Sequence, residues 1–261
     1  MNEPVLIEID DGIAHVTLAR PQVHNAFDDG LIDALTGHLR ELEAMPRVRA
    51  VVLTGEGASF SAGADLNWMR RMVAADEKDN RKDARRLAKL MRTLHYLGKP
   101  TIARVNGSAF GGGVGLVACC DIAIASKEAK FGLTEVRLGL VPAAISPYVI
   151  DAIGARQARR WFITGEVFPA QTALAIGLVH LVVPPKQLDA AVQAQLALLR
   201  AAGPVAAVQA KALVHRVVHP DFKRQRELDE DNAELIAQLR TSPEGQEGLT
   251  AFLAKRKPAW T

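Results

Sequence analysis

The stretch Gly107-Ser-Ala-Phe-Gly-Gly-Gly-Val-Gly115 (GSAFGGGVG) places five glycines among nine residues in an otherwise apolar part of the chain. A glycine inside a regular element costs about 0.5–1 kcal/mol of backbone entropy relative to alanine, so such a run needs a physical reason. A bare backbone serves a bound phosphate, a tight turn or the close approach of another group. The residues in and around the stretch distinguish these alternatives.

A phosphate-binding loop requires two side chains that the stretch lacks. Gly107 and Gly112 have the spacing of the pattern GxxxxGK[ST], but Gly113 and Val114 occupy the positions of the lysine and the hydroxyl residue. A dinucleotide-binding GxGxxG pattern is also missing from this run. Close packing of a helix against a strand, where only glycine fits, remains open as a purely structural explanation.

The composition predicts a folded protein with a large core. Of the 261 residues, 49% are hydrophobic and 5% aromatic, and the formal net charge is +3. This mild positive charge suits a small anionic substrate as well as RNA, so it does not choose between them. The two cysteines, Cys119 and Cys120, are adjacent, which disfavours a disulfide and matches no zinc site. We therefore expect a cytoplasmic protein.

No targeting segment, membrane span or metal site is expected from the sequence. The start, MNEPVLIEIDD, is acidic and has no basic region before an apolar block, unlike a signal peptide. No apolar stretch reaches the roughly 20 residues that a membrane span needs. Among the seven histidines, only His215 and His219 have a ligand-like spacing, and the glutamate of HExxH is missing between them.

The order of predicted elements indicates an α/β core followed by helices. Alternating residues at 5–10 and 13–19, separated by Asp11-Gly12, predict a hairpin. Helical periodicity from 28 to 43 starts at a capping aspartate. Further strands are predicted at 50–55, 101–105 and 121–125, and further helices at 76–97, 186–201, 205–219, 223–240 and 244–256. The sequence shows no clear internal repeat.

A second stretch of small residues, Phe60-Ser-Ala-Gly-Ala-Asp-Leu66 (FSAGADL), also follows a strand and leads into a predicted helix start. A helix start has free N–H groups and a partial positive charge. Two such backbone corners, brought together by the fold, would form a two-donor oxyanion hole. Each donor in such a site stabilises the transition state by about 3–4 kcal/mol.

The motifs FSAGADL, NGSAFGGGVGLVACCDIAIA and FGLTEVRLGLVP, followed by the tail FLAKRKPAW, resemble the crotonase (enoyl-CoA hydratase/isomerase) superfamily over essentially the whole chain. The resemblance implies an α/β fold, a crotonase-like spiral of ββα units, with a C-terminal helical trimerisation region. We assign residues 1–190 to the acyl-CoA-binding catalytic core and residues 191–261 to oligomerisation. The implied partners are an acyl-CoA substrate and further copies of the chain, in a homotrimer or a dimer of trimers. No cofactor is expected, because the coenzyme A is part of the substrate.

The resemblance also implies which residues carry the chemistry. The two N–H groups that hold the thioester oxygen fall on Ala64 and Gly112. Well-studied hydratases of the family use two glutamates that flank a water, of which the second falls on Glu135 and the first on Gly115. The apolar neighbourhood of Glu135 predicts partial burial and a raised pKa. We expect this single carboxyl group to take a proton from water and to deliver one to the α-carbon.

Other positions match the family's contacts with coenzyme A. The segment around Val23 and Ala26 resembles the loop against the pantetheine, and the FSAGADL stretch faces the adenine. In the family, the tail residues reach the coenzyme A of a neighbouring subunit. The candidate coenzyme A contacts are Val23, Ala26, Ala62, Asp65, Leu66, Phe252 and Lys255.

The motifs SAGADLNWM, AFGGGVGL and TEVRLGLVPAAISPYV most resemble the methylglutaconyl-CoA hydratases of leucine degradation. The expected function is therefore enoyl-CoA hydration, with a branched or 3-methylglutaconyl-type substrate. Such a substrate carries a second carboxylate, for which Arg70, Arg71 and Arg137 are candidate cations that the sequence does not distinguish.

Two alternatives remain beside hydration. A single carboxylate also suits an enoyl-CoA isomerase, which moves a double bond with one proton shuttle and no water. A basic helix at 70–92, with nine basic and four acidic side chains, is compatible with RNA binding. The interspersed acidic residues and the lack of aromatic residues favour a solvated helix instead, so nucleic acid is not the expected partner.

Overall fold

A hairpin begins the described chain, as the Asp11-Gly12 turn predicts: β1 (Val5–Asp10) pairs antiparallel with β2 (Ile13–Leu18). Both turn residues have positive φ angles, 44° and 75°, which suit a two-residue hairpin turn. This computed structural model describes residues 3–218 and 222–260. Some predictions above include residues outside that part of the chain, namely Met1, Asn2, His219, Pro220, Asp221 and Thr261.

After the hairpin, the chain repeats a unit of one longer strand, one short strand and a helical segment. The longer strands are β3 (Ala50–Gly55), β5 (Thr101–Val105) and β7 (Ile122–Ser126). The short strands are β4 (Ser59–Ser61), β6 (Ser108–Phe110) and β8 (Lys130–Gly132). Each kind pairs in parallel within its own sheet, so every unit adds one strand to both sheets. The predicted spiral of ββα units is thereby confirmed.

Two more strands complete the sheets within the described residues, β9 (Val167–Pro169) and β10 (Leu181–Val183). One sheet has the order β1-β2-β3-β5-β7-β10 and the other the order β4-β6-β8-β9. The helices between the strands are α1 (Asp29–Ala44), α2 (Leu66–Ala74), α3 (Glu77–His95), α4 (Gly112–Cys119), α5 (Ser146–Thr164) and α6 (Ala170–Ala175).

The first glycine of the GSAFGGGVG stretch lies at the step between the two sheets. Gly107 joins β5 to β6, and a Cβ atom at this position would lie 2.0 Å from the carbonyl oxygen of Ala58. No side chain fits against a backbone at that distance. Gly107 is therefore required by close packing within the spiral, while the later glycines of the stretch belong to a different feature.

Helix α1 shows how the residue pattern determines the packing. The Asp28 side chain accepts a hydrogen bond from Leu31 N at 2.9 Å and caps the helix, as predicted. The leucines and the isoleucine at helical spacing form the buried face, which packs in the main hydrophobic core. These core residues are Leu31, Ile32, Leu35, Leu39 and Leu42.

The basic stretch at 70–92 is not one helix, so that part of the RNA-binding prediction is wrong. Helix α2 ends at Ala74, and α3 begins at Glu77 after Asp76, whose side chain accepts from Asp79 N. Much of the positive charge is paired within the chain. The ion pairs are Arg71 with Asp29, Arg81 with Glu77 and Glu234, Arg85 with Glu230, Arg86 with Asp29, and Arg92 with Asp229.

The later part of the described chain is helical, with α7 (Leu188–Ala201), α8 (Pro204–Val218), α9 (Phe222–Thr241) and α10 (Pro243–Leu253). Helix α9 packs along α3, and α10 packs on α2. Helices from the later part of the chain therefore pack on helices of the earlier part. The division of the chain at residue 190 stays a prediction. No single described helix is long and apolar enough to cross a membrane; one pair, Pro185–Ala201 with Pro204–Val218, bent by 104°, meets that test by length and composition only.

We expect Asn25→Leu to destabilise the fold by about 2 kcal/mol or more, because it removes a buried donor to two backbone carbonyls and the acceptor of Arg20 N. Asn25 is buried, and its Nδ2 donates to the carbonyls of Glu56 and Ser59 at 2.9 Å each. Urea unfolding measures the effect. The control is Gln22→Ala, at an exposed position in the same loop. Its free energy of unfolding is expected within about 0.5 kcal/mol of that of the parent. Equal stability of the two variants would contradict this interpretation.

Candidate active site

A cavity of about 480 Å³ opens where the two small-residue stretches meet. Its wall is largely apolar and comes from α2, α3, α9, α10 and the loops of the spiral. Such a wall suits an acyl chain. The large apolar side chains of this wall include Phe27, Trp68, Met69, Leu87, Phe110 and Ile145.

The first backbone corner is held against the second by direct backbone contact. Gly63 has a positive φ of 82°, and a Cβ atom there would lie 3.0 Å from the carbonyl oxygen of Phe110. Phe27 N donates to Gly63 O at 2.6 Å, and Asp65 N donates to Phe27 O at 2.8 Å. This bridge uses the neighbours of Ala64 on both sides. The described residues offer no acceptor to the Ala64 N–H group, and Ala64 lines the cavity.

The second corner is the start of α4. Gly111, with a φ of 48°, precedes the helix, and Gly112 is its first residue. A Cβ atom on Gly112 would lie 2.4 Å from Cε2 of Phe27, so no side chain fits there. The described part of the chain provides no acceptor for the Gly112 N–H group either. The free N–H groups and the helix dipole together make this corner attractive to negative charge.

Glu135 lies beside the second corner, in a short 3-10 turn at Glu135–Leu138. A Cβ atom on Gly111 would stand 3.1 Å from Oε1 of Glu135, which places the carboxyl group next to the start of α4. Its Oε2 is buried, and no hydrogen-bond donor of the described residues reaches it. Burial raises the pKa of Glu135 from 4.5 to about 7, as the apolar neighbourhood predicts, against a smaller opposing effect of a backbone hydrogen bond.

Helix α10 holds the turn of Glu135 from behind. A Cβ atom on Gly248 would lie 2.3 Å from the carbonyl oxygen of Leu138, and one on Gly139 would lie 2.8 Å from that of Glu244. Glycine at both positions lets helix and turn touch backbone to backbone. Helix α10 therefore fixes the position of the turn that carries the Glu135 carboxyl group.

Gly115, where the family's first glutamate falls, has no space for a side chain. A Cβ atom there would lie 2.4 Å from Cγ2 of Ile145 and 3.1 Å from Sδ of Met91. The position of the missing first glutamate is therefore not an empty space in the site. Apolar side chains fill the place where a second carboxyl group would begin.

The candidate coenzyme A contacts divide into two groups. Ala62 and Phe252 line the cavity, and Phe252 does so in its own chain, whereas the resemblance implied a neighbour's coenzyme A. The others lie outside the lining. Asp65 is buried and caps α2, where it accepts from Asn67 N and Trp68 N and pairs with Arg20 at 3.1 Å. The remaining candidates outside the lining are Val23 and the buried Ala26 in the loop beside this segment, the exposed Leu66, and Lys255 just after α10.

The three candidate cations do not share one position. Arg137 lines the cavity and is exposed, whereas Arg70 donates to Asn67 and Arg71 pairs with Asp29 outside it. Two arginines that the sequence analysis missed, Arg240 and Arg256, also line the cavity. Arg240 lies in none of the motifs quoted above, because its place at the site depends on the packing of α9. Arg256 lies within the tail motif FLAKRKPAW, from which only Phe252 and Lys255 were selected.

Comparison with known proteins identifies the family of the chain. Residues 8–261 match the family described as Enoyl-CoA hydratase/isomerase. The Hydroxycinnamoyl-CoA hydratase-lyase of Pseudomonas fluorescens is 37% identical, with 95% of this chain and 91% of the relative covered. The Crotonyl-CoA hydratase of Syntrophomonas wolfei is 31% identical, covering 98% and 96%. The crystal structure of an enoyl-CoA hydratase from Shewanella pealeana superposes with a TM-score of 0.81 at 41% identity, covering 98% and 96%. The chain therefore belongs to the enoyl-CoA hydratase/isomerase family, the crotonase superfamily, and is an enzyme of the hydro-lyase class.

Proposed function

We propose that this enzyme adds water across the 2,3-double bond of an enoyl-CoA thioester, with Glu135 as its only acid and base. The observation that carries the proposal is the meeting of three groups in one cavity. Two N–H groups that have no acceptor among the described residues, at Ala64 and Gly112, line the same space as a buried carboxyl group with a raised pKa. This combination suits a reaction in which negative charge develops on an oxygen while a proton moves nearby.

The proposed steps use these groups in turn. The thioester oxygen accepts hydrogen bonds from the Ala64 and Gly112 N–H groups. The Glu135 carboxylate takes a proton from water as the water oxygen bonds to C3 and the electrons of the double bond move onto the thioester as an enolate. The protonated Glu135 then delivers its proton to C2 on the same face, which restores the carboxylate. The coenzyme A of the substrate is the only coenzyme involved.

A branched or 3-methylglutaconyl-type acyl group is the proposed substrate. Its support is the resemblance of the motifs around Ala64, Gly112 and Glu135, together with an apolar cavity that extends past these groups to α3 and α9. A 3-methylglutaconyl-type acyl group also carries a second carboxylate. This carboxylate requires a cation in the part of the cavity near α3 and α9.

Isomerisation is the second candidate, and the filled position at Gly115 favours it. Without a second carboxyl group, nothing at Ile145 or Met91 can bind a water, while a proton shuttle at Glu135 needs none. The conjugated thioester absorbance of a 2-enoyl-CoA distinguishes the reactions. Its loss on incubation with the enzyme supports hydration, and its growth from a 3-enoyl-CoA supports isomerisation. RNA binding receives no comparable support, since ion pairs occupy much of the 70–92 charge.

We expect Glu135→Gln to lower turnover at least a thousandfold while acyl-CoA binding is retained, because glutamine keeps the shape but cannot carry the proton. Turnover is followed by the absorbance assay and binding by calorimetry with a saturated acyl-CoA. The matched control is Glu128→Gln, an exposed glutamate outside the cavity lining. A Glu135→Gln enzyme with parent-like turnover would remove Glu135 from the mechanism.

The pH profile of hydration should report one ionisation near pH 7. The reaction starts from the carboxylate, and burial raises the pKa of Glu135 to about 7. We therefore expect kcat/KM to be constant above that pKa and to fall about tenfold per pH unit below it. Initial rates from pH 5 to 9 test this. A profile that stays flat down to pH 5 would show that the working group titrates elsewhere.

We propose that the exposed apolar face of α8 is covered by other copies of the chain, in a trimer or a dimer of trimers. Helix α8 has no buried residue over Pro204–Val218, although it is rich in valine. Its exposed apolar residues are Val205, Leu213, Val214, Val217 and Val218. A contiguous apolar surface of this kind is typical of a subunit interface.

Light scattering should therefore give a mass of three or six chains for the parent. The double variant Val214→Asp and Val217→Asp should shift it toward one chain, because two carboxylates would be buried at the interface. Glu128→Gln again serves as the control. A parent of monomeric mass, or an unchanged mass of the double variant, would contradict the proposed interface.

A further inference from the structure

One charged side chain stands in the apolar part of the cavity. Arg240, near the end of α9, lines the cavity together with Met69, Leu87 and Ile236, and only 12% of its side chain is exposed. A guanidinium group in such surroundings loses much of its hydration and needs compensation from neighbours. Its neighbours compensate it only in part.

The contacts of Arg240 leave one side of its guanidinium group unused. Nη1 donates to Oδ2 of Asp83 at 3.0 Å and approaches Oδ1 of Asn80 at 3.4 Å. The guanidinium carbon lies 5.3 Å from the ring centre of Trp68. The described residues give no acceptor to Nε or Nη2. Arginine donates through a planar fork that matches a carboxylate with two parallel hydrogen bonds, and half of that fork is free here.

The charge network around Arg240 holds more guanidinium groups than carboxylates. Trp68 Nε1 donates to carboxylate oxygens of both Asp83 and Asp29, at 3.0 and 3.1 Å. Asp29 in turn pairs with Arg71 and lies 3.7 Å from Arg86. Three guanidinium groups thus face two carboxylates. Burial raises the pKa of Asp83, and the charge of Arg240 opposes this shift.

The other arginines of the cavity lack this combination of burial and free donors. Arg256 donates through both terminal nitrogens to Glu247 at 2.7 Å each, so its charge is already paired. Arg137 is exposed, where water satisfies its donors. Burial, an apolar wall and a free fork coincide at Arg240.

We propose that Arg240 binds a carboxylate at the far end of the acyl group, which makes the preferred substrates enoyl-CoA thioesters of dicarboxylic acids. This assignment rests on the proposed hydratase function and specifies its substrate class. The Nε and Nη2 donors meet the two carboxylate oxygens, and Trp68 supports the guanidinium plane. Asp83 and Asn80 hold Nη1, so they orient the fork toward the cavity.

The test compares two acyl groups of similar length, one ending in a carboxylate and one neutral. Glutaconyl-CoA and hex-2-enoyl-CoA serve as substrates, and glutaryl-CoA and hexanoyl-CoA as unreactive ligands for calorimetry. We expect the parent to favour the carboxylated member of each pair. Arg240→Met should lower this preference at least tenfold in both the kcat/KM ratio and the Kd ratio, since the bidentate contact is lost.

Asp83→Asn provides a variant that should act in the opposite direction. Asparagine keeps an acceptor for Trp68 but removes the competing negative charge, so the preference for the carboxylated acyl group should rise. The double variant Arg240→Met with Asp83→Asn removes both charges of the ion pair. It replaces Arg240→Met in the test if Arg240→Met alone does not fold.

The outcomes separate this inference from the proposed function. If the parent hydrates both substrates and Arg240→Met leaves both ratios unchanged, the role of Arg240 is overturned while hydration stands. If the parent hydrates neither substrate, the proposed hydration of these acyl groups is wrong, and the Kd ratio alone tests the role of Arg240. Loss of the Kd preference in Arg240→Met then supports the carboxylate site. A Kd preference that persists in Arg240→Met overturns the carboxylate site.

Discussion

Two backbone N–H groups, at Ala64 and Gly112, determine what the rest of the site must provide, because neither has an acceptor among the described residues. Both residues line the cavity, where Ala64 is exposed and Gly112 is partly buried. A tight backbone contact between the two corners, at Gly63 and Phe110, fixes their positions. Donors held in place in this way stabilise negative charge that develops on an oxygen bound between them.

The same enclosure sets the chemistry of Glu135. Its buried Oε2 has no donor in the part of the chain that the structure describes, and loss of hydration raises the pKa of Glu135 to about 7. A carboxyl group with an ordinary pKa would accept a proton reluctantly and give it up too easily to return it to carbon. Near neutrality, this carboxyl group populates both forms, which suits a group that must first take a proton and then deliver it. Helix α10 makes this enclosure, because Gly248 allows it to touch the turn that carries Glu135.

The sequence predicts the elements of the fold better than their arrangement. The hairpin and α1 follow from alternation, a turn and a cap, which are local signals. The repeated ββα unit has no residue pattern of its own, because the units share a chain path, so the prediction of the spiral depended on the resemblance of the motifs to a known family. The candidate site residues Ala64, Gly112 and Glu135 are predicted from their motifs, since each depends on its immediate neighbours. Arg240 has no such motif: its meaning depends on Asp83, 157 residues earlier, which only the packing of α9 on α3 brings close.

The missing first glutamate and the unpartnered oxygen of Glu135 explain each other. In a site with two carboxyl groups, a water between them can accept and donate in a fixed geometry. Here Ile145 fills the place of the first, so the proposed mechanism assigns the water near C3 to Glu135. Oε2 then needs to be free of protein donors, because a hydrogen bond from the chain would compete with the water and stabilise the carboxylate. The absence of a donor at Oε2 therefore preserves the basicity that a single-carboxylate mechanism requires.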